Sequence, residues 1–460
     1  MVPPGSLRDS PASPESASEN KVMSQQAVKV GLIGLGTVGQ GVIRVLQKNA
    51  EEIARRVGRP VQVTHASARD LGRPRDTDLA GITLVADALS LAREADIDVL
   101  VEVVGGQTVA KDAILAALAR GKPVVTANKA LLAENGNGIF AAAAEAGVPV
   151  AFEASVAGGI PIIKAIREGL AGNRIDSLAG IINGTCNYIL SQMTVKGQSF
   201  ADALADAQKL GYAEADPTFD VEGVDAAHKL SILASIAFGM PLSFPAVACE
   251  GITKVTAQDI QIAQTLGYRI KLLGIAKRSA AGVELRVHPT LIPDDQLLAK
   301  VDGVLNSVLV QGNAVGQVGF YGRGAGGDAT ASAVVADLVD VARGLGAEAH
   351  RHVPALAFQP AAVQALNLLP ISAIESCYYL RLRVADEPGV LKGLTGILAE
   401  HDISIEAILQ KEPRGDDDAT VALITDRVAE QRFDAALAAI QALPFVREGA
   451  ARIRVEHFKD

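Results

Sequence analysis

Short apolar runs alternate with segments of helical spacing over the first third of the chain. The predicted strands begin at Val28 and continue at Val61–Ala68, 97–106 and 122–132. Apolar residues recur with helical spacing between them, most clearly at 37–57, Val109–Ala119 and Gly138–Ala146. This alternation predicts an α/β domain over residues 28–150, built on a doubly wound parallel sheet of the Rossmann type.

The pattern changes between residues 151 and 318. Strands are predicted at Arg174–Ile182, Arg269–Lys277, Val283–Pro289 and Asn306–Val318, and helices at Phe200–Leu210 and Lys254–Leu266. Hairpin turns separate the later strands, which makes them antiparallel. We predict a mixed α+β domain here, with an open sheet that carries its helices on one side.

Further segments complete the predicted organisation. Residues 319–350 form a second glycine loop and a long amphipathic helix that returns to the first domain, and residues 351–376 are a Pro- and Ala-rich linker. From residue 377 to 460 the order βαββαβ predicts a ferredoxin-like domain. Residues 1–27 are rich in Ser, Pro and Glu without an apolar core, which predicts a disordered extension rather than a signal peptide.

An acidic stretch runs directly into an apolar helix near the middle of the chain. Its carboxylates are Glu214, Asp216, Asp220, Glu222 and Asp225. The helix is predicted to begin at about Gly223. One broad arc of it carries Ala226, Leu230, Ile232, Leu233 and Ile236, and the opposite side carries His228, Ser231 and Ser235.

One cation in this helix departs from the amphipathic pattern. Lys229 points into the apolar arc, and Asp225 precedes it by one turn at i−4. Burying an ammonium is costly unless a partner compensates the lost hydration. Lys229 is therefore either half of a structural ion pair or a residue that takes part in chemistry, and the helix pattern alone leaves both interpretations open.

The first predicted strand ends in a glycine-rich turn that opens a helix. Gly34, Gly36 and Gly39 have the spacing GxGxxG. The first glycine allows a tight turn, the second lets the backbone approach a pyrophosphate, and the third lets helix and strand pack closely. The N–H groups of the first helical turn, which holds Thr37 and Val38, then face the phosphates. In this context the motif predicts dinucleotide binding.

The ends of the other predicted strands supply candidates for a cofactor and substrate cleft. Arg69 follows the second strand, where an arginine accommodates the 2′-phosphate of NADP, whereas an acid such as Asp70 selects NAD. The pair favours NADP or the use of both cofactors. The further candidates are Val104, Gly105, Thr126, Asn128 and Lys129 at strand ends, and Gly324 and Gly326 in the second glycine loop.

Two junctions in the middle domain carry polar groups. Glu153 is predicted to end a strand, and a carboxylate beside exposed carbonyls is how proteins hold hard cations. The alternative is that Glu153 caps the helix predicted near Pro161, and the sequence does not decide between them. At the next strand–helix junction, Asn183, Gly184 and Thr185 form a suitable place for a small polar ligand.

Composition narrows the range of partners and compartments. The formal charge of −9 argues against nucleic acid or an anionic membrane as partner. The three cysteines, Cys186, Cys249 and Cys377, lie far apart without a CxxC, so neither a disulfide framework nor a zinc site is predicted. No apolar run is long enough to span a bilayer, and a cytoplasmic protein is predicted.

Several of these motifs together resemble one family. GLGTVG, TANKAL, FEASVAGGIP, NGTCNYIL and above all GYAEADPTFDVEGVDAAHKL resemble homoserine dehydrogenase, and DEPGVL resembles the start of an ACT domain. The resemblance runs from about Val28 to Leu345, with the ACT module beyond it. It implies NAD(P)-dependent interconversion of L-homoserine and L-aspartate 4-semialdehyde, in the biosynthesis of threonine, methionine and isoleucine.

The resemblance also implies roles for matched residues. Lys229 would transfer the proton, Asp225 would be its partner, and Lys129 would be a second lysine near the reacting oxygen and the nicotinamide. Glu214 would bind the amino group of the substrate, together with Asp220, Thr185 and Gly184 as further substrate contacts. The family's sodium site would fall on Glu153, Val156, Gly158 and Ile160.

One departure from the resemblance concerns the acidic loop. A branch of the family has EPDPRDDLNG where this chain has EADPTFDVEG, so Ala215, Thr218 and Phe219 replace Pro, Arg and Asp. Because Glu214, Asp216, Asp225 and Lys229 are kept, the departure affects the fine shape of the loop and not the expected chemistry.

Two other functions fit parts of the sequence but need features that differ from those present. Aspartate-semialdehyde dehydrogenase needs a thiol nucleophile, but the only candidate, Cys186, has no nearby histidine and is predicted to be a buried small residue. A non-catalytic nucleotide-binding sensor of amino acids would not need Lys229 beside an acidic loop. We further expect a homo-oligomer, a dimer or tetramer, whose ACT domain binds an amino acid, threonine by hypothesis, and inhibits.

Overall fold

The structure is a computed structural model that describes residues 26–411, 418–447 and 449–458. Its strands are β1 (Val28–Ile33), β2 (Val61–Ser67), β3 (Thr83–Val85), β4 (Val99–Glu102), β5 (Val124–Thr126), β6 (Val150–Ala151), β7 (Ile175–Ile181), β8 (Ala248–Cys249), β9 (Tyr268–Arg278), β10 (Val283–Pro293), β11 (Leu305–Gly312), β12 (Gly316–Arg323), β13 (Glu375–Ala385), β14 (Ile405–Lys411), β15 (Asp418–Thr425), β16 (Val428–Ala429) and β17 (Ala451–Val455).

The helices of the described residues are α1 (Thr37–Lys48), α2 (Ala50–Val57), α3 (Ala88–Glu94), α4 (Thr108–Ala119), α5 (Lys129–Ala146), α6 (Ile162–Lys164), α7 (Gly184–Lys196), α8 (Phe200–Lys209), α9 (Thr218–Val221), α10 (Val224–Phe238), α11 (Ala257–Thr265), α12 (Gly327–Gly344), α13 (Val390–Glu400) and α14 (Glu430–Gln441).

These elements divide into two compact units. The first unit holds the described residues up to Asn128 together with Gly138–Ala154 and Gly327–Val353. The second unit holds Lys129–Asn137, Ser155–Gly326 and the described residues from Pro354 onward. Helix α5 contributes its first part to the second unit and its remainder to the first.

The first unit is built on a parallel sheet. Within the described residues its strand order is β3-β2-β1-β4-β5-β6, and every neighbouring pair is parallel. This is the doubly wound order of dinucleotide-binding domains, with the reversal between β1 and β4. The predicted Rossmann-type fold is therefore confirmed, and its ligand crevice is expected where the carboxyl ends of β1 and β4 meet.

Helix α12 completes the core of this first unit. A side chain at Gly41 of α1 would place its Cβ 3.0 Å from the Cβ of Ala331 and 3.0 Å from the carbonyl oxygen of Gly327. The missing side chain thus lets the two helices approach closely, and Val334 and Leu338 of α12 are fully buried in the shared core. A segment distant in sequence therefore supplies one wall of the nucleotide-binding unit.

Some predicted element boundaries in this region are wrong. The helix predicted over 37–57 breaks at Asn49 into α1 and α2, and the strand predicted over 97–106 is only Val99–Glu102. Helix α5 begins at Lys129 rather than at Gly138. Its first half therefore continues through an Asn- and Gly-rich stretch of low helix propensity. Burial of Leu132 before this stretch and Ile139 after it explains why packing overrides propensity there.

The second unit contains one long sheet. In the described residues its order is β12-β11-β7-β9-β10-β17-β13-β15-β14, with β8 added beside β10 and β16 beside β13. The strand predicted over Asn306–Val318 is a hairpin instead, because β11 ends at Gly312 and β12 returns from Gly316. The predicted open mixed sheet is otherwise confirmed.

The C-terminal module has the ferredoxin-like strand order. Its strands lie side by side in the order β17-β13-β15-β14, and each neighbouring pair is antiparallel. Tyr378 and Phe433 stack at 4.1 Å between ring centroids in its core. The acidic turn predicted at GDDD lies largely outside the described residues. The sequence did not predict that β17 would pair with β10 in parallel, which makes this module continuous with the preceding sheet.

Helix α10 is buried on all sides, so the predicted polar face of this helix is wrong. Every residue from Asp225 to Phe238 is buried. Its serines are satisfied within the helix, since the hydroxyl of Ser231 donates to the carbonyl of His228 and that of Ser235 donates to the carbonyl of Ser231. Buried side chains that bond their own helix need no solvent.

The predicted linker is attached to the second unit over part of its length. Val283 donates its N–H to the carbonyl of Asn367, and Leu369 donates to the carbonyl of Val283. The backbone N–H of Gln364 donates to the carbonyl of Gly239, which follows α10. The described residues contain no helix long and apolar enough to cross a membrane.

Candidate active site

The glycine turn has the close contacts that its motif requires. Gly34 has a φ of +103°, and a Cβ there would lie 2.8 Å from the Cα of Val104. A Cβ at Gly39 would lie 1.9 Å from the carbonyl oxygen of Gly34. A Cβ at Gly36 would meet no described atom within 4 Å. Gly34 and Gly39 thus permit close packing, and Gly36 leaves open space where a pyrophosphate can approach. These residues therefore fit a dinucleotide.

The start of α1 is accessible beside this open space. Gly36 and Thr37 are exposed and Val38 is half-buried. No acidic residue lies in the first turn, so the N-terminal N–H groups and the helix dipole favour an anion without opposition. In the same unit, Gly327 at the start of α12 packs on Thr37, since a Cβ there would lie 2.8 Å from the threonine methyl.

A buried carboxylate that the sequence analysis missed shapes the end of β4. One oxygen of Glu102 accepts the N–H groups of Val104 at 3.0 Å and Gly105 at 3.2 Å, and the other accepts the hydroxyl of Thr126 at 2.6 Å. Burial raises the pKa of Glu102, against the lowering effect of these hydrogen bonds. The sequence does carry a signal for this carboxylate, because Glu102 is the acid that ends the apolar run VLVE.

The remaining cofactor candidates lie on loops. Gly105 is exposed with a φ of +73°, and Arg69 is exposed after the end of β2. Asn128 is buried, and its amide donates to the carbonyl of Gly106 at 2.7 Å. Gly326 is exposed with a φ of +127°, directly before α12.

Two lysines converge on Asp225 in the second unit. Nζ of Lys229 lies 2.6 Å from Oδ2 of Asp225 and also donates to the carbonyl of Ile182 at 2.8 Å. Nζ of Lys129, at the start of α5, lies 3.2 Å from the other oxygen, Oδ1. The side chains of Asp225 and Lys229 are 5% and 10% exposed, whereas that of Lys129 is 37% exposed. The i, i+4 spacing predicts the pair of Asp225 and Lys229, and the structure adds Lys129 to it.

The charges of this cluster hold Asp225 ionised. Burial acts to raise the pKa of Asp225, but the ammonium groups of Lys229 and Lys129 prevail and hold it well below its usual range. The negative charge of Asp225 in turn raises the pKa of Lys129 despite burial. Lys129 therefore remains a cation at neutral pH, and the carboxylate keeps a counter-ion on each of its oxygens.

Asn183 connects this cluster to the acidic loop, a role that the sequence did not reveal. Its side-chain amide donates to Oδ1 of Asp220 at 2.7 Å and to Oδ2 of Asp225 at 2.9 Å. Its oxygen accepts the N–H of Cys186 at 2.8 Å and so caps α7. The sequence predicts Asn183 at a junction suited to a small polar ligand, and an Asn between a strand and a helix also predicts a cap. Neither pattern predicts a bridge between two carboxylates.

Asp220 and Cys186 lie next to this bridge. Burial and the negative charge of Asp225 raise the pKa of Asp220, against the hydrogen bond from Asn183. Cys186 is fully buried, and its thiol donates to the carbonyl of Asp220 at 3.2 Å. Burial raises the pKa of this thiol well above its usual value, so Cys186 is not an activated nucleophile.

The other predicted substrate residues differ in placement. Thr185 donates its hydroxyl to the carbonyl of Tyr212 at 2.8 Å. A Cβ at Gly184 would lie 2.9 Å from the carbonyl oxygen of Val304, so the glycine permits a close backbone approach. Glu214 lies on the exposed loop, and its carboxylate forms no hydrogen bond or ion pair with the described residues.

The residues predicted to hold a cation fall in different local settings. Glu153 opens a short 3-10 helix, not the end of a strand, and is 1% exposed. Its N–H donates to Asp337 at 2.7 Å. In the second unit, Val156, Gly158 and Ile160 form a tight turn around Ala157, which has a φ of +48°. No group of three or more His, Cys, Asp or Glu side chains is arranged for a metal ion within the described residues.

Comparison with known proteins gives consistent matches along the chain. Residues 34–153 match the family described as "Homoserine dehydrogenase, NAD binding domain", residues 161–339 match "Homoserine dehydrogenase", and residues 378–445 match "ACT domain". The homoserine dehydrogenase of Pseudomonas aeruginosa is 58% identical over 430 residues, which are 93% of this chain and 99% of that protein.

Solved structures agree with these matches. A homoserine dehydrogenase from Thiobacillus denitrificans has a TM-score of 0.89 and 53% identity, covering 94% of this chain and 99% of that one. A hyperthermophilic archaeal homoserine dehydrogenase in complex with NADPH has a TM-score of 0.58 and 26% identity, covering 69% of this chain and 98% of that one.

The glycine turn of the first unit fits a nicotinamide dinucleotide, and the matches assign the chain to the nicotinamide-dependent dehydrogenases. It is an NAD(P)-dependent oxidoreductase with a C-terminal ACT domain. The chain belongs to the homoserine dehydrogenase family.

Proposed function

We propose that the chain interconverts L-homoserine and L-aspartate 4-semialdehyde, with Lys229 as the acid–base residue. The arrangement of Lys229 carries this proposal. Two of its N–H bonds are committed, to Asp225 and to the carbonyl of Ile182, and the third meets no acceptor among the described residues. A buried ammonium with one uncommitted proton can donate it to an aldehyde oxygen.

The proton steps follow from the same cluster. A bound nicotinamide supplies the hydride, or accepts it in the reverse direction. In reduction, Lys229 gives its uncommitted proton to the oxygen of the aldehyde; in oxidation, the neutral amine takes the proton of the C4 hydroxyl. Lys129 remains charged at 3.2 Å from Asp225. It therefore balances that carboxylate while Lys229 is neutral.

The acidic loop supports recognition of an amino-acid substrate. We propose that Glu214 and Asp220 face the substrate ammonium, with Thr185 and Gly184 beside them. Asp220 is aligned by the amide of Asn183 at 2.7 Å, and Glu214 has no ion pair of its own within the described chain. A cationic amino group would therefore gain two carboxylate partners where few cations compete.

The cofactor is assigned to the glycine turn in the same way. Gly34, Gly36 and Gly39 with Thr37 and Val38 would hold the pyrophosphate, and Arg69, Val104, Gly105, Lys129 and Gly326 are proposed as further contacts. The archaeal relative solved with NADPH and the exposed Arg69 both support NADP, with NAD as the other candidate. A cytoplasmic location stays a prediction.

Three finer proposals concern ions, effectors and assembly. The carboxylate of Glu153 and the carbonyls of Val156, Gly158 and Ile160 are proposed to bind a sodium ion.

In the ACT domain, a cavity of about 260 Å³ lies between the loop after β13 and Gln410. We propose that this cavity binds threonine as an inhibitor. The chain is proposed to form a homo-oligomer, a dimer or tetramer, which its mass in solution would test.

Initial rates with homoserine test these proposals together. We expect formation of reduced cofactor with NADP and with NAD, faster with NADP. Threonine should lower this rate, and replacing sodium by a bulky organic cation should lower it as well. Absence of any homoserine-dependent signal at all pH and salt conditions would refute the proposed function, whereas a rate indifferent to threonine or sodium would refute only that part.

A further inference from the structure

The segment 248–253 joins the C-terminal module to the acidic loop within the second unit. On the module side, one oxygen of Glu250 accepts hydrogen bonds from Arg452 at 3.1 Å and from Arg454 at 2.8 Å, both on β17. Arg454 is 2% exposed and is also fixed by Glu430 at the start of α14. The arginine that holds Glu250 is therefore itself immobilised in the module.

On its other side, the same segment is bonded to the backbone of the acidic loop. Ile252 donates its N–H to the carbonyl of Val221 at 2.8 Å, and the hydroxyl of Thr253 donates to the carboxylate of Glu222 at 3.0 Å. A Cβ at Gly251 would lie 2.3 Å from the carbonyl oxygen of Val221. Residues 248–253 and the acidic loop are therefore in direct contact.

The contact point lies between the functional carboxylates. Val221 and Glu222 follow Asp220 immediately and precede Asp225, and the intervening Gly223 turns with a φ of +84°. A shift of this short stretch would therefore move both carboxylates relative to Lys229. Because this stretch is hydrogen-bonded to residues 248–253, its position depends on Arg452 and Arg454, which hold Glu250.

We propose that Glu250 is a positioning residue that couples β17 of the ACT domain to the placement of Asp220 and Asp225. The inference rests on the proposed function of those carboxylates. Glu250 is not among the residues proposed to contact substrate or cofactor. It fixes the segment whose backbone bonds set the path of the acidic loop, so its loss should weaken substrate binding and leave cofactor binding intact.

Alanine substitution at Glu250 has a matched control in Asp434. Both carboxylates accept a hydrogen bond from Arg452, at 3.1 Å and 2.8 Å, but Asp434 lies on α14 and does not adjoin the acidic loop. We expect Glu250→Ala to raise the KM for homoserine roughly 3- to 30-fold, a range typical of coupling residues. The KM for NADP should stay unchanged, and Asp434→Ala should leave both KM values unchanged.

A second comparison tests whether the effect passes through this contact. Arg452→Ala should raise the KM for homoserine in the wild-type background but not further in the Glu250→Ala background, because the two residues act as one unit. Should Glu250→Ala fail to fold, Glu250→Gln retains an acceptor oxygen and is expected to raise the same KM by a smaller factor.

The outcomes separate this inference from the proposed function. Wild-type protein without homoserine oxidation would refute the proposed function. An active wild type in which Glu250→Ala and Asp434→Ala share the wild-type KM for homoserine would overturn the inference alone. An equal rise in the KM values for homoserine and NADP would also overturn it, since a general loss of structure produces that result.

Discussion

At the scale of single residues, the proposed proton transfer depends on how many groups bind the carboxylate of Asp225. Asp225 receives an ammonium on each oxygen and an amide from Asn183. Removing one partner of a buried ion pair is strongly destabilising when the remaining charge is uncompensated. In the proposed proton transfer Lys129 stays beside Asp225 when Lys229 gives up its proton, so the carboxylate keeps one counter-ion throughout.

Substitution of Lys229 tests this arrangement directly. Lys229→Arg keeps a positive charge beside Asp225 but cannot release it, because a guanidinium stays protonated in proteins. We expect kcat for homoserine oxidation to fall roughly 100- to 10,000-fold, the usual contribution of a general acid–base residue. Steady-state kinetics at saturating homoserine and NADP measures this fall.

Lys271 offers a matched control for that substitution. It is 2% exposed, and its ammonium donates to Asp302 at 2.8 Å and to Asn187 and Val301, none of which belongs to the acidic loop. Lys271→Arg should therefore leave kcat near the wild-type value. If Lys229→Arg turned over as fast as Lys271→Arg, the proton would have to come from another group.

At the scale of elements, the turn from β1 into α1 combines two different uses of glycine. Gly39 is needed because the backbone at Gly34 occupies the space of a side chain, whereas Gly36 borders open space. The same residue type therefore serves packing at one position and ligand access at the other. The spacing of the motif reveals both glycines, but only the contacts distinguish their roles.

Alanine at these two positions should separate stability from cofactor binding. Gly39→Ala puts a Cβ 1.9 Å from a carbonyl oxygen, so it should lower the free energy of unfolding by about 1–3 kcal/mol, as overpacking does. It should also raise the KM for NADP. Gly36→Ala should raise that KM without loss of stability. Thermal unfolding and cofactor titration check both, and equal stability of the two variants would contradict the assignment.

At the scale of the whole molecule, the ACT domain is part of the long sheet rather than an appendage. Side chains on β10 and directly after β17 form a buried ionic cluster where these two strands pair. Arg286 donates to Glu456 at 2.5 Å and to Nε2 of His288 at 2.8 Å, and Nδ1 of His288 faces the carbonyl of Pro289. Deleting the domain would remove Glu456 and leave the buried Arg286 without this partner, so point substitutions are the better test of regulation.

This cluster predicts loss of stability in acid. Burial and the charges of Arg454 and Arg286 hold the pKa of His288 well below 6.5. Below pH 6.5 the unfolded chain binds a proton that the folded chain refuses, so stability falls as the pH drops, by up to about 1.4 kcal/mol per pH unit. Despite burial, Arg286 and Lys277 lower the pKa of Glu456 from 4.5 to about 2, so its contribution is lost only below pH 4.5.

Thermal midpoints at pH 7.5 and 5.5 measure the histidine contribution. His288→Gln keeps an acceptor for Arg286 but cannot take a proton, so its midpoint should fall less between these two pH values than that of the wild type. The exposed His350 provides the control, and His350→Gln should retain the wild-type pH dependence. An unchanged pH dependence in His288→Gln would show that another group causes the acid sensitivity.

The sequence by itself determined the local parts of this protein. Strand and helix periodicity determined the doubly wound sheet and the ferredoxin-like module, and GxGxxG determined the nucleotide turn. The spacing of Asp225 and Lys229 determined their ion pair, because residues at i and i+4 must share a helix face. Each of these features depends on residues close together in the chain, where backbone geometry fixes the outcome.

Only the tertiary structure decided which distant residues share a site. Asn183 bridges Asp220 and Asp225, and Lys129 reaches the same carboxylate from another helix. Packing also buried the serine face of α10 and joined β17 to β10, neither of which periodicity indicates. The physical reason is that burial and pairing between distant segments depend on which surfaces meet in the folded chain, and no local pattern carries that information.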